Sequence, residues 1–269
     1  MTITWTHFPA GEQGFFRAPV LLAGASDALL IDGGFTLEDG RKLAAAIRAT
    51  GKRLTAIYVS QSDPDYYFSL GPVRAAFPEA QILAAPGTVA AIQASVQKKF
   101  EIWGPKLGDN GPASLADVVV PAPFNERKLV LEGESIEIVE ARGLVNRRYL
   151  WVPSLRAMFG GVLVFSGVHV WVADTPSAEE RKAWIENLHV LATRNPSVVV
   201  PGHAVTGAAT DASAIAYTRD YLVTFEKELA GASDAAALIA AMKRHYPGAG
   251  MGVALEIGAK VAKGEMAWG

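Results

Sequence analysis

The sequence contains no cysteine, which excludes disulfides, thiolate metal sites and a thiol nucleophile. Histidine is scarce too, five in 269 residues, so imidazole chemistry can come from only a few positions. Neither sign of charge dominates: 25 Lys and Arg face 27 Asp and Glu, for a net charge of −2. Without a basic cluster to meet phosphates, no nucleic-acid partner is expected. No apolar run approaches the roughly 20 residues that cross a bilayer, so no membrane partner is expected either. The start, Met-Thr-Ile-Thr-Trp-Thr-His-Phe-Pro, lacks the basic end and long apolar centre of a signal peptide. A soluble, cytoplasmic protein is the expectation. Gly-x-Ser-x-Gly elbows and phosphate-binding glycine loops are also missing, which leaves a serine hydrolase or nucleotide enzyme without support.

What is present is apolar: half of the residues are hydrophobic, enough to bury a substantial core. Residues 16–23 and 28–31 read as a strand pair, followed by the Asp32-Gly33-Gly34 turn. Helical spacing covers 39–50, a β-branched run 54–59 reads as a buried strand, and short elements follow at 73–77 (helix) and 80–84 (strand). Pro86-Gly87-Thr88 reads as the cap of a helix over 89–103. Residues 104–128, rich in Gly and Pro, form an irregular stretch of the kind that builds lids or pocket walls. Two hairpins follow, at 128–140 and 149–159. An amphipathic helix spans 175–194, with Ser177 and Glu180 spaced as a capping box. A strand at 197–200 precedes Pro201-Gly202-His203, and helices are expected at 215–229, 235–246 and 253–263. Strand–helix alternation followed by paired hairpins implies two sheets with helices outside them. One domain over 1–269 is the reading, with a helical extension from about 211.

The stretch Ile-Tyr-Val-Ser-Gln-Ser-Asp-Pro-Asp-Tyr-Tyr-Phe-Ser-Leu, residues 57–70, is the most informative. Gln61, Asp63, Asp65 and Tyr66 lie just past a strand end, where α/β sheets present ligand-binding groups. Their spacing resembles that of the metallo-β-lactamase superfamily, in which His-x-His-x-Asp-His follows such a strand and holds one or two metal ions. Here Gln61, Asp63 and Tyr66 stand at the three His positions and Asp65 at the Asp. Tyr149 to Phe165 looks like the hairpin that ends in the family's bridging Asp, whose position is Gly161. Gly167-Val168-His169-Val170-Trp171 resembles a pocket segment, and Val198-Val199-Val200-Pro201-Gly202-His203 resembles the stretch ending in the last metal-binding His. The family His before the second hairpin has no counterpart; Ala141 falls nearest, amid Arg142, Arg147 and Arg148. The resemblance implies an α+β, four-layered αββα sandwich, the metallo-β-lactamase fold.

Carried over in this way, the ligand sets are too poor for zinc, which needs about three imidazole, thiolate or carboxylate donors. No metal and no cofactor is expected. Asp63 and Asp65 would repel each other unless a proton or a cation intervenes, and a guanidinium from Arg142, Arg147 or Arg148 is expected to supply that cation. The leading expectation is a hydrolase-like protein without the di-zinc centre, acting on a small ester, lactone or other carbonyl compound. Asp63, Asp65 and His203 are its catalytic candidates, with His203 as acid or base near its usual pKa and Asp65 orienting it. Gln61, Tyr66, Tyr67, Arg147, Arg148, His169 and Trp171 are the substrate-binding candidates. A non-catalytic protein binding a small molecule or a partner is one alternative. A mononuclear site of Asp65, His203 and either Asp63 or Tyr66, suited to iron or manganese, is another. A homo-oligomer is compatible with the composition.

Overall fold

The computed structural model describes residues 3–268. Residues 1, 2 and 269, which belong to the range read as one domain and in part to the start compared with a signal peptide, lie outside the described residues. The chain opens with β1 (Thr4–His7), β2 (Val20–Ala23), β3 (Asp27–Ile31), α1 (Leu37–Ala49) and β4 (Arg53–Val59). It continues with α2 (Leu70–Ala76), β5 (Gln81–Ala84), α3 (Pro86–Leu107) and β6 (Ala122–Pro123). These strands form a sheet in the order β1-β2-β3-β4-β5-β6. Pairing is antiparallel up to β3 and parallel from there.

Next come β7 (Lys128–Leu131), β8 (Glu134–Glu140), β9 (Arg148–Val152), β10 (Ala157–Phe159), β11 (Phe165–Ser166) and α4 (Ala178–Thr193). The chain ends with β12 (Val198–Val199), β13 (His203–Ala204), α5 (Ser213–Gly231), α6 (Ala235–His245) and α7 (Gly252–Ala262). The second sheet has the order β12-β10-β9-β8-β7. A short parallel pair, β11 with β13, sets Phe165 beside His203.

Alternation explains why two sheets stack. Along β3 and β4, Leu29, Ile31, Ala56 and Tyr58 face one way and meet Leu150, Val152, Ala157 and Phe159 of the other sheet in a common inter-sheet core. Their neighbours Ala28, Leu30, Ile57 and Val59 face the opposite way, into a larger core that also holds Leu43, Ile47, Val73, Ile92, Trp184 and Leu188 from the helices. Strands buried on both faces read as continuous apolar runs, which is how 54–59 appears in the sequence. The result is the α+β sandwich with helices on the outside. Tyr221, Phe225, Leu238 and Leu255 of the last three helices join the same helix-side core. Among the described residues no helix is long and apolar enough to cross a membrane.

Several boundaries differ from the sequence reading. The strand expected at 16–23 begins only at Val20, because Phe15 and Phe16 both adopt φ +54°, a left-handed conformation that breaks extended structure. Thr4–His7, not read as a strand, pairs along Val20–Ala23 and becomes the sheet edge. The helix expected from residue 89 starts at Pro86, whose fixed φ suits a first helical position, and Thr88 lies inside it. It also runs past Trp103 to Leu107, with Pro105 in its last turn. The start of α4 matches: Ser177 accepts from the Glu180 backbone, and Glu180 in return accepts from the Ser177 backbone. Ser177→Ala should therefore lower the unfolding free energy by about 1 kcal/mol, seen as a reduced urea midpoint with an unchanged slope.

Candidate functional site

The ends of β3 and β4 and the loop before β13 converge on one guanidinium. Arg17 follows the two left-handed phenylalanines and is fully buried. Its Nη2 donates to Asp32 Oδ2 at 3.2 Å, its Nη1 to the Gly202 carbonyl at 2.5 Å and its Nε to the Asp65 carbonyl at 3.2 Å. Asp65 Oδ2 lies 3.7 Å from Nε. The Tyr66 ring faces the guanidinium, 3.4 Å from Cζ to centroid, a distance at which cation–π attraction is strong. Asp32, read from the sequence only as part of a turn, also accepts from the backbone and hydroxyl of Ser60 at 2.7 and 2.8 Å. The Gly161 backbone donates to the same hydroxyl.

The cation beside Asp65 thus comes from Arg17, not from Arg142, Arg147 or Arg148. Arg148 pairs with Glu140 at 2.7 Å and reaches Thr88. Arg142 meets Asn187 through its backbone. Arg147 lies buried over the Trp184 ring. Asp63 takes its counter-charge from Lys99 of α3 at 2.8 Å. The sequence held one cue for Arg17, a lone charge inside the apolar run Gly-Phe-Phe-Arg-Ala-Pro-Val-Leu-Leu. It held none for Lys99, which reaches Asp63 across helix packing.

His203 is 3% exposed, stacks on Phe165, and is fixed by the Phe15 carbonyl 2.7 Å from Nδ1. A carbonyl only accepts, so Nδ1 carries the proton and Nε2 presents its lone pair. That lone pair faces Asp65 Oδ2 at 3.6 Å and Tyr66 Oη at 3.4 Å. Burial and the Arg17 charge hold the His203 pKa down at about 3, well away from the near-neutral value expected of it. Burial pushes the Asp65 carboxyl up to about 7 against the pull of Arg17, with Asp63 adding to the rise.

Three successive carbonyls around the loop after β10 are each taken by a side-chain donor. Tyr66 Oη donates to Gly161 at 3.1 Å, Arg147 Nη1 to Val162 at 3.2 Å and Trp184 Nε1 to Leu163 at 2.8 Å. The remaining candidates are spread more widely. Gln61 and Tyr67 are buried beside this cluster in the chain, each with a polar atom lacking a partner. His169 faces the Tyr221 hydroxyl of α5 at 3.0 Å, and burial holds its pKa down at about 4. Trp171 packs edge-on against Trp268. The structure brings Asp65, Tyr66 and His203 together, with Asp63 alongside on Lys99; it sets His169 against α5 instead.

The donor set does not fit a two-metal centre. Tyr66 is held protonated by burial, and Asp63 is engaged by Lys99. Gly161 has φ +73°, and a Cβ there would lie 1.9 Å from the Arg148 carbonyl. A mononuclear site on Asp65 and His203 would share its carboxylate with the Arg17 guanidinium. Among the described residues no three His, Cys, Asp or Glu side chains gather to hold a metal ion.

The two pKa shifts act on stability in opposite directions. Asp65 binds its proton more tightly folded than unfolded, so its contribution is full below about pH 3.8 and declines up to about 7. His203 binds more weakly folded, so its contribution grows as pH rises from about 3 to 6.5. Asp65→Asn should gain on wild type as pH rises from about 4 to 7, and His203→Gln should lose ground between about 3 and 6.5. Urea unfolding across that range tests both, and difference curves without slope would contradict them.

Comparisons with known proteins agree with this fold. The sequence pattern described as the metallo-beta-lactamase superfamily matches residues 14–203. Among solved structures, a metallo-beta-lactamase family protein from Thermus thermophilus is 15% identical with a TM-score of 0.65, covering 98% of this chain and 93% of its own. The metallo-beta-lactamase from Pontibacter korlensis is 17% identical with a TM-score of 0.58, covering 82% and 94%. The DIM-1 metallo-beta-lactamase is 15% identical at 0.55, covering 82% and 93%. At these identities the likeness is one of fold. No curated protein gave a match. With the family pattern spanning most of its length and the fold shared along it, this chain belongs to the metallo-beta-lactamase superfamily.

Proposed function

We propose that this chain is a hydrolase-like member of its superfamily whose cleft works without the di-zinc centre, on a small ester, lactone or other carbonyl substrate. The observation that carries this reading is the facing of the Asp65 carboxyl and the unprotonated Nε2 of His203 across 3.6 Å, beside the Arg17 charge. The roles expected from the sequence exchange. Asp65, with its carboxyl near the working pH, takes the proton from an attacking water and returns it to the leaving group. His203 stays neutral, its Nδ1 committed to Phe15, and accepts a hydrogen bond that orients the acid or the water. Arg17 supplies the fixed positive charge next to the carboxylate that a metal would otherwise supply.

A second reading, a non-catalytic protein that binds a small molecule or a partner, is favoured by closure of the site. Gln61, Tyr66, Tyr67 and His203 are each no more than 5% exposed. Cavities of about 220 and 170 Å³ lie elsewhere, one against His7, Asp39 and Lys42 and the other against Phe15, Met251 and Val253. Ester and lactone hydrolysis by chelator-treated protein separates the two. The hydrolase reading expects turnover that rises with pH towards a plateau above about 7. It also expects a loss of at least about a hundredfold in Asp65→Asn, with a smaller loss in His203→Ala. Turnover that is the same in wild type and both variants, or that appears only with added zinc, would overturn it.

A further inference from the structure

From Gly250 onward the chain keeps returning to residues 167–174. The Gly250 backbone donates to the Gly167 carbonyl at 3.0 Å, and its own carbonyl accepts from the His169 backbone at 2.9 Å. Gly258 of α7 runs so close that a Cβ there would lie 2.5 Å from Val172 Cγ2. After α7 the contacts move on to Trp171 and Asp174. Trp268 Nε1 donates to Asp174 Oδ1 at 2.8 Å, and its ring meets Trp171 edge-on with centroids 5.2 Å apart. Asp174 marks where this segment borders the cleft: burial and then the Asp63 charge push its carboxyl up, while Arg147 pulls it down. Trp268 thus covers the flank on which the Asp63 side chain stays 26% exposed.

These last residues are held unevenly along their length. Gly264 turns the chain out of α7 with φ +72°. Glu265 then fastens it: its backbone donates to the Lys260 carbonyl at 2.8 Å, and its Oε1 accepts from the Ala235 backbone at 2.7 Å. Met266 and Ala267 are exposed. Trp268 comes down on Asp174 and Trp171 while itself 38% exposed. A hydrogen bond and a ring pair within reach of solvent open far more readily than a packed core. The residues behind need some such opening. Gln61, Tyr66, Tyr67 and His203 are each no more than 5% exposed, and neither cavity described above is lined by them. A ligand can reach them only through a movement, and a weakly fastened cover moves at the least cost.

We propose that residues 264–268 form a strap over the mouth of the cleft, hinged at Gly264 and Glu265 and latched by Trp268 on Asp174 and Trp171, which unlatches to admit a ligand. This goes beyond the hydrolase reading and concerns access alone, whatever chemistry the cleft performs. Because the chain has no cysteine, one introduced thiol reports its own accessibility. Gln61→Cys places it in the cleft, and iodoacetamide labelling followed by mass gives the rate. Adding Trp268→Ala should speed labelling at least about tenfold. Trp268→Phe, which keeps a ring and loses the N–H, should speed it by a smaller factor. Ala157→Cys, in the inter-sheet core, should label at one slow rate with and without Trp268→Ala. Equal rates at Gln61→Cys in both backgrounds would overturn the strap. So would the same acceleration at Ala157→Cys, which signals loosening of the whole fold. Should Gln61→Cys fail to fold, amide hydrogen exchange on the chain without added cysteine decides. Residues 61–67 and 170–174 should then exchange faster in Trp268→Ala than in wild type, with 150–152 unchanged, and identical exchange overturns the strap. Labelling needs no turnover, so a Trp268-dependent rate in protein that hydrolyses no ester supports the strap while counting against the hydrolase reading.

Discussion

The Arg17 guanidinium has no access to water, and the way it is answered ties the site together. Asp32 at the end of β3, Asp65 after β4, the Gly202 carbonyl before β13 and the Tyr66 ring each take one direction of it. Charges at such depth persist only when paired and hydrogen-bonded. Asp32 extends the chain of contacts through Ser60 to Gly161, so the first sheet, the second sheet and the β11–β13 pair are all referred to one side chain. The left-handed turn at Phe15 and Phe16 delivers Arg17 and also turns the Phe15 carbonyl towards His203. Backbone strain of this kind holds only where the surroundings over-determine it, and here they do.

Burial then divides the work between two groups that look interchangeable in the sequence. The same loss of solvent raises an acid and depresses a base. Asp65 and His203, 3.6 Å apart, are therefore driven to their neutral forms from opposite sides. Arg17 strengthens the effect on the imidazole and moderates it on the carboxyl. With the imidazole held neutral, the proton that comes and goes near neutral pH belongs to Asp65. The other cations serve a different purpose: Lys99 answers Asp63 at the rim, and Arg147 packs over Trp184 while donating to the Val162 carbonyl.

How far this could be read from the residues depends on distance along the chain. The layers follow from local signals: apolar runs buried on both faces for the strands, a capping box at Ser177, hairpin turns at 132–134 and 153–155. The order of landmarks carried Asp63, Asp65, Tyr66 and His203 to adjoining places, because each sits directly after a strand whose position the fold dictates. Arg17 escaped because it precedes Asp65 by 48 residues and lies in a run that local propensity assigns to a strand. Lys99 escaped for the same reason in another form, since helix spacing says which face is apolar but not which acid a rim lysine meets. The pKa values of Asp65 and His203 depend on packing depth, to which residue type gives no guide.

Gly161 holds a further consequence. Its φ of +73° and the 1.9 Å that would separate a Cβ there from the Arg148 carbonyl come from the close approach of β9, whose first residue is Arg148. No side chain fits at 161 unless β9 first draws back. This corner is thereby reserved for backbone, and any variation in chemistry beside it has to come from the charges already built around it.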